Sequence, residues 1–153
     1  MIVRAPTPGD IDRLVDLGAE LHRESSYAFL PYDREKVRAL VVQYIDDTAT
    51  RCGLVAEADG DVIGMIGGTV VDYYFCDETL VADEILFVTP GWRGSLAAAR
   101  LIRALQAWAV ARGARELCLS ISTGVRADAT GRFYERLGFT RVGGVFKKRL
   151  AAG

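Results

Sequence analysis

The chain has 153 residues and a formal net charge of −1, a length that suits one compact domain with a single core. Half of the residues are hydrophobic and a quarter are charged, which argues against a disordered or low-complexity protein. Near neutrality removes the general electrostatic reason to expect nucleic-acid binding, because proteins of that class usually carry a basic excess.

The residues that usually bind metals are few and are not spaced as ligands. Cys52, Cys76 and Cys118 form no Cys-x-x-Cys pair, and His22 is the only histidine, so we expect no metal site. Reduced thiols are typical of intracellular proteins. The first residues contain no apolar signal region, and no run of about 18 apolar residues predicts a membrane span. We therefore expect a cytoplasmic protein that binds neither membrane nor nucleic acid.

The first third of the chain predicts one strand and two helices. Ile2 and Val3 suggest a short strand, and Thr7, Pro8 and Asp10 have the spacing of a helix start. Apolar residues then recur with helical periodicity as far as Leu21. Residues 22–33 are interpreted as a loop, after which Asp33 caps a second helix that ends before residue 46.

The remaining two thirds begin with strands. Residues 52–74 predict two strands joined by a tight turn at Asp59–Gly60, and residues 81–88 predict a third strand. A helix over 95–114 precedes a strand over 116–122, and this crossover predicts that the strands on either side of the helix are parallel. A short helix over 128–139 and a cationic edge strand over 141–150 complete the order.

The stretch "TPGWRGSLAAARLI", residues 89–102, joins a strand to a helix. The start of a helix leaves backbone N–H groups unpaired and carries a partial positive charge, so it suits a phosphate. The stretch lacks the Lys-Ser/Thr pair of a P-loop and the three glycines of a dinucleotide fingerprint. Its spacing alone is therefore equally compatible with a simple turn that binds no ligand.

Three motifs occur together: "AEADGDVIGMIGG", "EILFVTPGWRGSLAAARLI" and "FYERLGF". On these motifs the chain resembles the GNAT superfamily of acetyl-CoA-dependent N-acetyltransferases over nearly its whole length. The resemblance implies a mixed α/β (α+β) fold in a single domain, residues 1–153, with a central twisted, mostly antiparallel sheet flanked by helices. The phosphate loop of that family reads Gln/Arg-x-x-Gly-x-Gly/Ala. Arg93 and Ala98 match its ends, and Leu96 replaces its central glycine.

The resemblance also implies direct acetyl transfer from acetyl-CoA to a primary amine of a small molecule or peptide. In this family a tyrosine at the position of Tyr134 often protonates the leaving thiolate, and a carboxylate at the position of Glu84 often deprotonates the amine through water. Because side chains alternate along a strand, Asp83 is expected to face away from Glu84. The residues expected to contact the cofactor are Phe87, Val88, Arg93, Gly94, Ser95, Leu96, Ala97 and Ala98.

Acidic and aromatic residues on two predicted loops suit a cationic amine, although a solvated surface explains them equally well. The candidates for binding the acceptor are His22, Glu24, Tyr27, Tyr32 and Tyr73. His22 and Glu24 are also the alternatives to Glu84 as the base, because the loop after the first helix borders the acceptor site in the family. The main alternative is a catalytically degenerate member that binds CoA or serves as an interaction module. Leu96 favours that alternative, as does the absence of the family's asparagine near Ala127 and Asp128. An α/β nucleotide-binding protein is a weaker alternative, because no phosphate loop of that type is present.

One further expectation concerns the short C-terminus. Family members commonly place two strands after the "GF" motif, and "TRVGGVFKKRL" leaves little room for both. The last strand is therefore predicted either to pair with a second subunit, giving a homodimer, or to leave the sheet shorter than in the family.

Overall fold

A computed structural model describes residues 1–151 of the chain. Its single sheet contains five strands whose spatial order is their order in the chain. Neighbouring strands are antiparallel except for the last two, which are parallel. The strands are β1 (Ile2–Arg4), β2 (Arg51–Ala58), β3 (Asp61–Asp72), β4 (Thr79–Val88) and β5 (Leu117–Cys118). The predicted fold class and the predicted parallel pair are both confirmed.

Four α-helices flank the sheet, and polar residues begin the first two where the sequence predicts. The Asp33 carboxylate accepts a hydrogen bond from the Lys36 amide at 3.0 Å, and Asp10 accepts from the Thr7 amide at 2.7 Å, which satisfies donors that a helix start leaves unpaired. A 3₁₀ turn over Pro8–Asp10 precedes the first α-helix. The helices are α1 (Ile11–Glu24), α2 (Arg34–Asp46), α3 (Ala97–Ala111) and α4 (Ala127–Arg136).

The sheet is buried on both faces. On one face Leu14 and Leu17 of α1 pack against Phe87 of β4. On the other face Leu101 of α3 packs in a larger core that contains Val88. The neighbours Phe87 and Val88 thus enter opposite cores, as the alternation of side chains along a strand requires. β4 lies between the two cores and next to the edge strand, which makes it the element on which a site is built.

The turn between β2 and β3 has the conformation that its sequence predicts. Asp59 and Gly60 have φ angles of 53° and 80°, in the left-handed region that a two-residue type I′ hairpin needs at both positions. The hairpin prediction is confirmed.

A β-bulge interrupts the pairing of β3 with β4. Gly67 pairs with Ile85 and Gly68 pairs with Asp83, so Glu84 is an extra residue without a partner on β3. An extra residue bends a strand and redirects the side chains around it. The bulge lies four residues before the carboxyl end of β4 and therefore shapes the region where β4 and β5 separate.

Two predictions about the end of the chain differ from the structure, one in length and one entirely. The strand predicted over 116–122 forms only at Leu117–Cys118, because the Ser120 amide donates to the Asp83 carboxylate at 2.9 Å and so leaves the main-chain ladder. No strand forms over 141–150 within the described residues. In this segment Lys147 and Arg149 lie 4.0 and 3.9 Å from the ring centroids of Tyr27 and Phe29. Pairing of this segment with a second subunit stays a prediction that a solution mass tests.

Among residues 1–151, none of the helices combines the length and the apolar character that crossing a bilayer requires.

Candidate active site

A cavity of about 670 Å³ opens between the carboxyl ends of β4 and β5 and is bounded by the start of α3 and by α4. The two strands pair only at Val81–Leu117 and Ala82–Cys118 and diverge beyond these pairs. Clefts at the carboxyl ends of neighbouring parallel strands are common ligand sites. All of the predicted cofactor residues except Ala97 line the cavity, together with Glu84 and Tyr134. Ala97 is fully buried beneath the loop.

The loop before α3 presents several unpaired backbone donors. The Ser95 amide donates to the Trp92 carbonyl at 3.2 Å, and the Ala97 amide donates to Ser95 Oγ at 3.2 Å. Within the described part of the chain, the amides of Gly94, Leu96 and Ala98 have no acceptor. Unpaired amides at a helix start, added to the helix dipole, form a suitable site for a phosphate group.

Leu96 occupies the position of the family's central glycine without backbone strain. Its φ and ψ angles are −77° and −1°, in a region open to any residue, whereas Gly94 at φ 84° has the left-handed conformation that favours glycine. The Leu96 side chain is 61% exposed and lies at the edge of the cavity. The substitution therefore leaves the loop backbone intact and adds an apolar group at the cavity mouth.

The Arg93 side chain is engaged by groups of the protein. Its Nε donates to the Val88 carbonyl at 3.1 Å, and its Nη1 donates to Glu24 Oε2 at 3.1 Å. Its Nη2 pairs with the other Glu24 oxygen, and the guanidinium lies 5.6 Å from the centroid of the Phe87 ring. Arg93 and Glu24 thus form a two-contact ion pair on the cavity wall.

Tyr134 reaches the cavity from α4. Its side chain is buried between the rings of Phe133 and Phe139, with centroids 6.0 and 6.1 Å away. No group of the described residues hydrogen-bonds its hydroxyl in the structure. Burial, followed by the charge of Asp83, raises the pKa of Tyr134 above its ordinary value. The phenol is therefore protonated at neutral pH, which is the form that a proton donor needs.

The neighbours Asp83 and Glu84 have different environments on the two faces of β4. Asp83 Oδ1 accepts from the amide and hydroxyl of Ser120 at 2.9 and 3.0 Å, on the side of Tyr134, and burial raises the pKa of Asp83. Glu84 Oε1 accepts from Thr69 Oγ1 at 2.6 Å and lies 3.4 Å from Arg51 Nη1. The Arg51 guanidinium itself stacks on Tyr44 of α2. β4 therefore presents one carboxylate to each face.

The predicted acceptor residues do not all meet at this cavity. Glu24 lines it, whereas His22, Tyr27, Tyr32 and Tyr73 do not. Three of these four side chains have partners within the chain.

The Tyr32 hydroxyl donates to the Val15 carbonyl at 2.8 Å. The Tyr73 hydroxyl donates to Glu116. The Tyr27 ring lies under Lys147. The His22 ring lies 5.3 Å from the Tyr32 ring, and its buried Nε2 has no partner among the described residues.

Several cavity residues were not identified from the sequence. Strand alternation already separated Asp83 from Glu84, but nothing linked Asp83 to Ser120, because their contact depends on how β5 approaches β4. Arg126 and Arg136 bring positive charge to the cavity from α4. Arg126 has a φ of 45° immediately before that helix, and no local pattern predicts this conformation for an arginine.

Among the described residues, no cluster of three or more histidine, cysteine, aspartate or glutamate side chains has the arrangement of a metal site.

The last parallel pair of the sheet separates beside a helix start, and a buried tyrosine lies on the opposite wall of the gap. The chain belongs to the acetyltransferase (GNAT) family, whose model matches residues 16–139. No curated protein sequence matches the chain.

Solved structures share this fold at low sequence identity. The structure of AAC(6')-Iy with the bisubstrate analogue CoA-S-monomethyl-acetylneamine has a TM-score of 0.77 at 21% identity, and the alignment covers 99% of this chain and 98% of that chain. The aminoglycoside 6'-N-acetyltransferase AAC(6')-IG from Acinetobacter haemolyticus has a TM-score of 0.74 at 18% identity, covering 99% and 100%. A ribosomal-protein-alanine N-acetyltransferase from Brucella melitensis biovar Abortus 2308 has a TM-score of 0.72 at 19% identity, covering 98% and 100%.

Proposed function

We propose that the protein transfers an acetyl group from acetyl-CoA to a primary amine of a small molecule or peptide, without a covalent enzyme intermediate. The observation that carries the proposal is the meeting of two features in one cavity. One is the set of unpaired amides of Gly94, Leu96 and Ala98, and the other is the buried phenol of Tyr134. Family membership supports acetyl transfer as the class of reaction.

The loop and β4 supply the cofactor contacts in this proposal. The amides of Gly94, Leu96 and Ala98 bind the pyrophosphate, and the start of α3 stabilises its charge. Phe87 and Val88 lie beyond the last β4–β5 pair, so main-chain groups there that point into the gap have no strand partner. The Val88 carbonyl accepts from Arg93 Nε, and the groups that remain unpaired are available to pantetheine. Arg126 and Arg136 add positive charge on the opposite wall.

Acetyl-CoA, when bound, supplies a thioester whose carbonyl carbon is open to attack by a neutral amine. Glu84 accepts the proton of the ammonium group through water, which leaves a lone pair on the nitrogen. The nitrogen bonds to the thioester carbonyl carbon, and Tyr134 donates its proton to the sulfur as the C–S bond breaks. The proton that the nitrogen loses on becoming an amide passes to solvent, and solvent returns a proton to the phenolate. The two carboxylates divide the space around β4, with Glu84 on the amine side and Asp83 on the thiol side.

A cationic acceptor suits the groups around the cavity. The AAC(6') neighbours are named for acting on aminoglycosides, and the Brucella protein for acting on a ribosomal-protein alanine. We propose an amine with nearby positive charge as the acceptor, because Glu84 lines the cavity on the amine side and carboxylates attract cations.

A second candidate function is CoA binding without catalysis. The exposed Leu96 side chain at the cavity mouth favours it, because an apolar group there competes for space with a bound cofactor.

Two variants of α3 test cofactor binding directly. Ala98→Glu places a carboxylate among the unpaired amides, and Ala107→Glu makes the same substitution on the exposed part of the same helix. Acetyl-CoA at 100 times its dissociation constant stabilises a binding protein by about 2.7 kcal/mol. We expect acetyl-CoA and CoA, but not ATP, to raise the unfolding temperature of the wild type and of Ala107→Glu, and neither ligand to raise that of Ala98→Glu.

Absence of any shift in the wild type would refute the proposed cofactor. If the shift is present, release of free thiol with a panel of amines separates the enzyme from the binding module. Binding with no thiol release for any amine supports the second candidate.

A further inference from the structure

The ion pair of Glu24 and Arg93 connects two parts of the cavity that are distant in the sequence. Glu24 is the last residue of α1, next to the loop that leads to α2, and Arg93 begins the loop before α3. Their side chains are 30% and 23% exposed. The two Arg93 Nη atoms contact the two Glu24 oxygens, while Nε is used by the Val88 carbonyl. We call this pair of residues the brace.

The brace uses three of the donors with which Arg93 would reach a phosphate. A guanidinium has five N–H donors in a fixed planar fork. Here one N–H of each Nη faces the Glu24 carboxylate, and the Nε–H faces the Val88 carbonyl. The backbone amides of Gly94, Leu96 and Ala98 remain unpaired a few residues away. The structure therefore separates the anion-binding groups, which are amides, from the arginine side chain beside them.

Charge gives the brace a second consequence. Glu24 lines the same cavity as the loop from Gly94 to Leu96, so an unpaired carboxylate there repels a bound phosphate. Arg93 cancels that charge as long as the pair is closed. A bidentate pair also fixes both side chains more firmly than a single contact does.

We propose that Arg93 is a positioning residue and not a phosphate ligand. With Glu24 it fastens the end of α1 to the cofactor loop, holds the Val88 carbonyl, and remains closed when acetyl-CoA binds. The proposal rests on the proposed function for its cofactor, and it goes beyond that function by assigning the arginine of the loop to the protein side of the cavity.

The test is a double-variant cycle read by CoA binding in a calorimeter. It compares the wild type, Arg93→Gln, Glu24→Gln and the double variant. Arg93→Gln leaves Glu24 unpaired beside the phosphates, and we expect it to weaken CoA binding about fivefold, the size of an interaction between partly exposed charges. Glu24→Gln alone leaves binding unchanged or tighter, because it frees a cation. The double variant has neither charge, and we expect its affinity to be within twofold of the wild type.

The result for the double variant decides between the two roles of Arg93. Recovery of more than half of the lost binding free energy supports the brace, whereas a smaller recovery means that Arg93 contacts the phosphate and overturns the proposal. Unchanged affinity in Arg93→Gln also overturns it. The control pair is Arg34 and Asp16, with Nη2 and Oδ1 2.5 Å apart, because neither residue lines the cavity. Arg34→Gln and Asp16→Asn are expected to leave CoA affinity unchanged.

Unfolding of the same four proteins without ligand provides an independent readout. If the brace is formed, the shifts in denaturation midpoint of the two single variants do not add up to the shift of the double variant. Additive shifts overturn the brace even in a protein that binds CoA. If the wild type binds no CoA but the two substitutions are coupled in unfolding, the proposed function is refuted and the contact between Glu24 and Arg93 is retained. The two failures are therefore distinguishable.

Steady-state kinetics distinguish a positioning role of the brace from a purely structural contact. In an active enzyme, Glu24→Gln is expected to raise the KM for the amine, because the neighbouring loop loses its anchor, while the KM for acetyl-CoA does not rise. An equal rise in both KM values contradicts the positioning role.

Discussion

Replacing Tyr134 by phenylalanine separates the chemistry of the phenol from its packing. The hydroxyl makes no hydrogen bond to the described residues, and the ring packs between Phe133 and Phe139. Removing the oxygen therefore orphans no partner, and we expect the free energy of unfolding to change by less than about 0.5 kcal/mol. General acid catalysis typically contributes at least about 100-fold. Its loss is expected to lower kcat by that factor, or about 2.7 kcal/mol of activation free energy.

The assay for Tyr134→Phe is thiol release at saturating acetyl-CoA and amine, with CoA affinity measured separately. Affinity is expected to stay within twofold of the wild type, because in the proposed mechanism the phenol donates its proton only as the thiolate leaves. Tyr74→Phe is the matched control, since the Tyr74 side chain is 99% exposed and lies outside the cavity. A kcat within threefold of the wild type in Tyr134→Phe would remove this residue from the mechanism.

The remaining predictions concern stability. Gly68→Ala places a Cβ 3.0 Å from Leu105 Cδ1 and 3.2 Å from Val81 Cγ1. Chemical denaturation should therefore show a loss of about 1–3 kcal/mol in the free energy of unfolding. An unchanged free energy would mean that the core side chains shift to accommodate the methyl group. Tyr44→Phe removes a buried hydroxyl that has no partner among the described residues. It should raise the unfolding temperature, and a fall would show that the hydroxyl is hydrogen-bonded. Burial raises the pKa of Asp83. The folded protein therefore loses stability as the pH rises through that pKa and the buried carboxyl becomes charged. Asp83→Asn should therefore stabilise the protein at pH 7 relative to wild type and not at pH 3, and a difference independent of pH refutes this.

Much of the fold follows from local patterns, because its main signals are short in range. Asp33 caps α2 through the amide three residues later, and Asp59–Gly60 form the hairpin turn that this dipeptide favours. Both depend on neighbours in the sequence. The strand predicted over 141–150 does not form, because a strand depends on a partner that is remote in the sequence. At that edge of the sheet, β5 pairs only through Leu117 and Cys118.

The site was harder to predict than the fold, because its contacts join remote segments. The loop around Arg93, predicted to bind the cofactor, lines the cavity, but the pairing of Arg93 with Glu24 bridges 69 positions of the chain. The Asp83–Ser120 contact bridges 37 positions and sets where β5 leaves the ladder. Residue type alone suggested the remaining acceptor candidates, which are His22, Tyr27, Tyr32 and Tyr73. The three tyrosines instead make contacts within the chain that hold loops and helices together.

The bulge at Glu84 has a consequence for how such an enzyme diversifies. A regular strand would place residues 83 and 85 on one face. A substitution on the amine side would then also shift the side chains of β4 that face the thiol side. With one extra residue, Glu84 and Ile85 both face the first two helices, while Asp83 stays with β5 and Tyr134. In the proposed mechanism, substitutions on the first two helices are therefore expected to alter which amine is accepted without changing the Asp83 and Tyr134 side of the cavity.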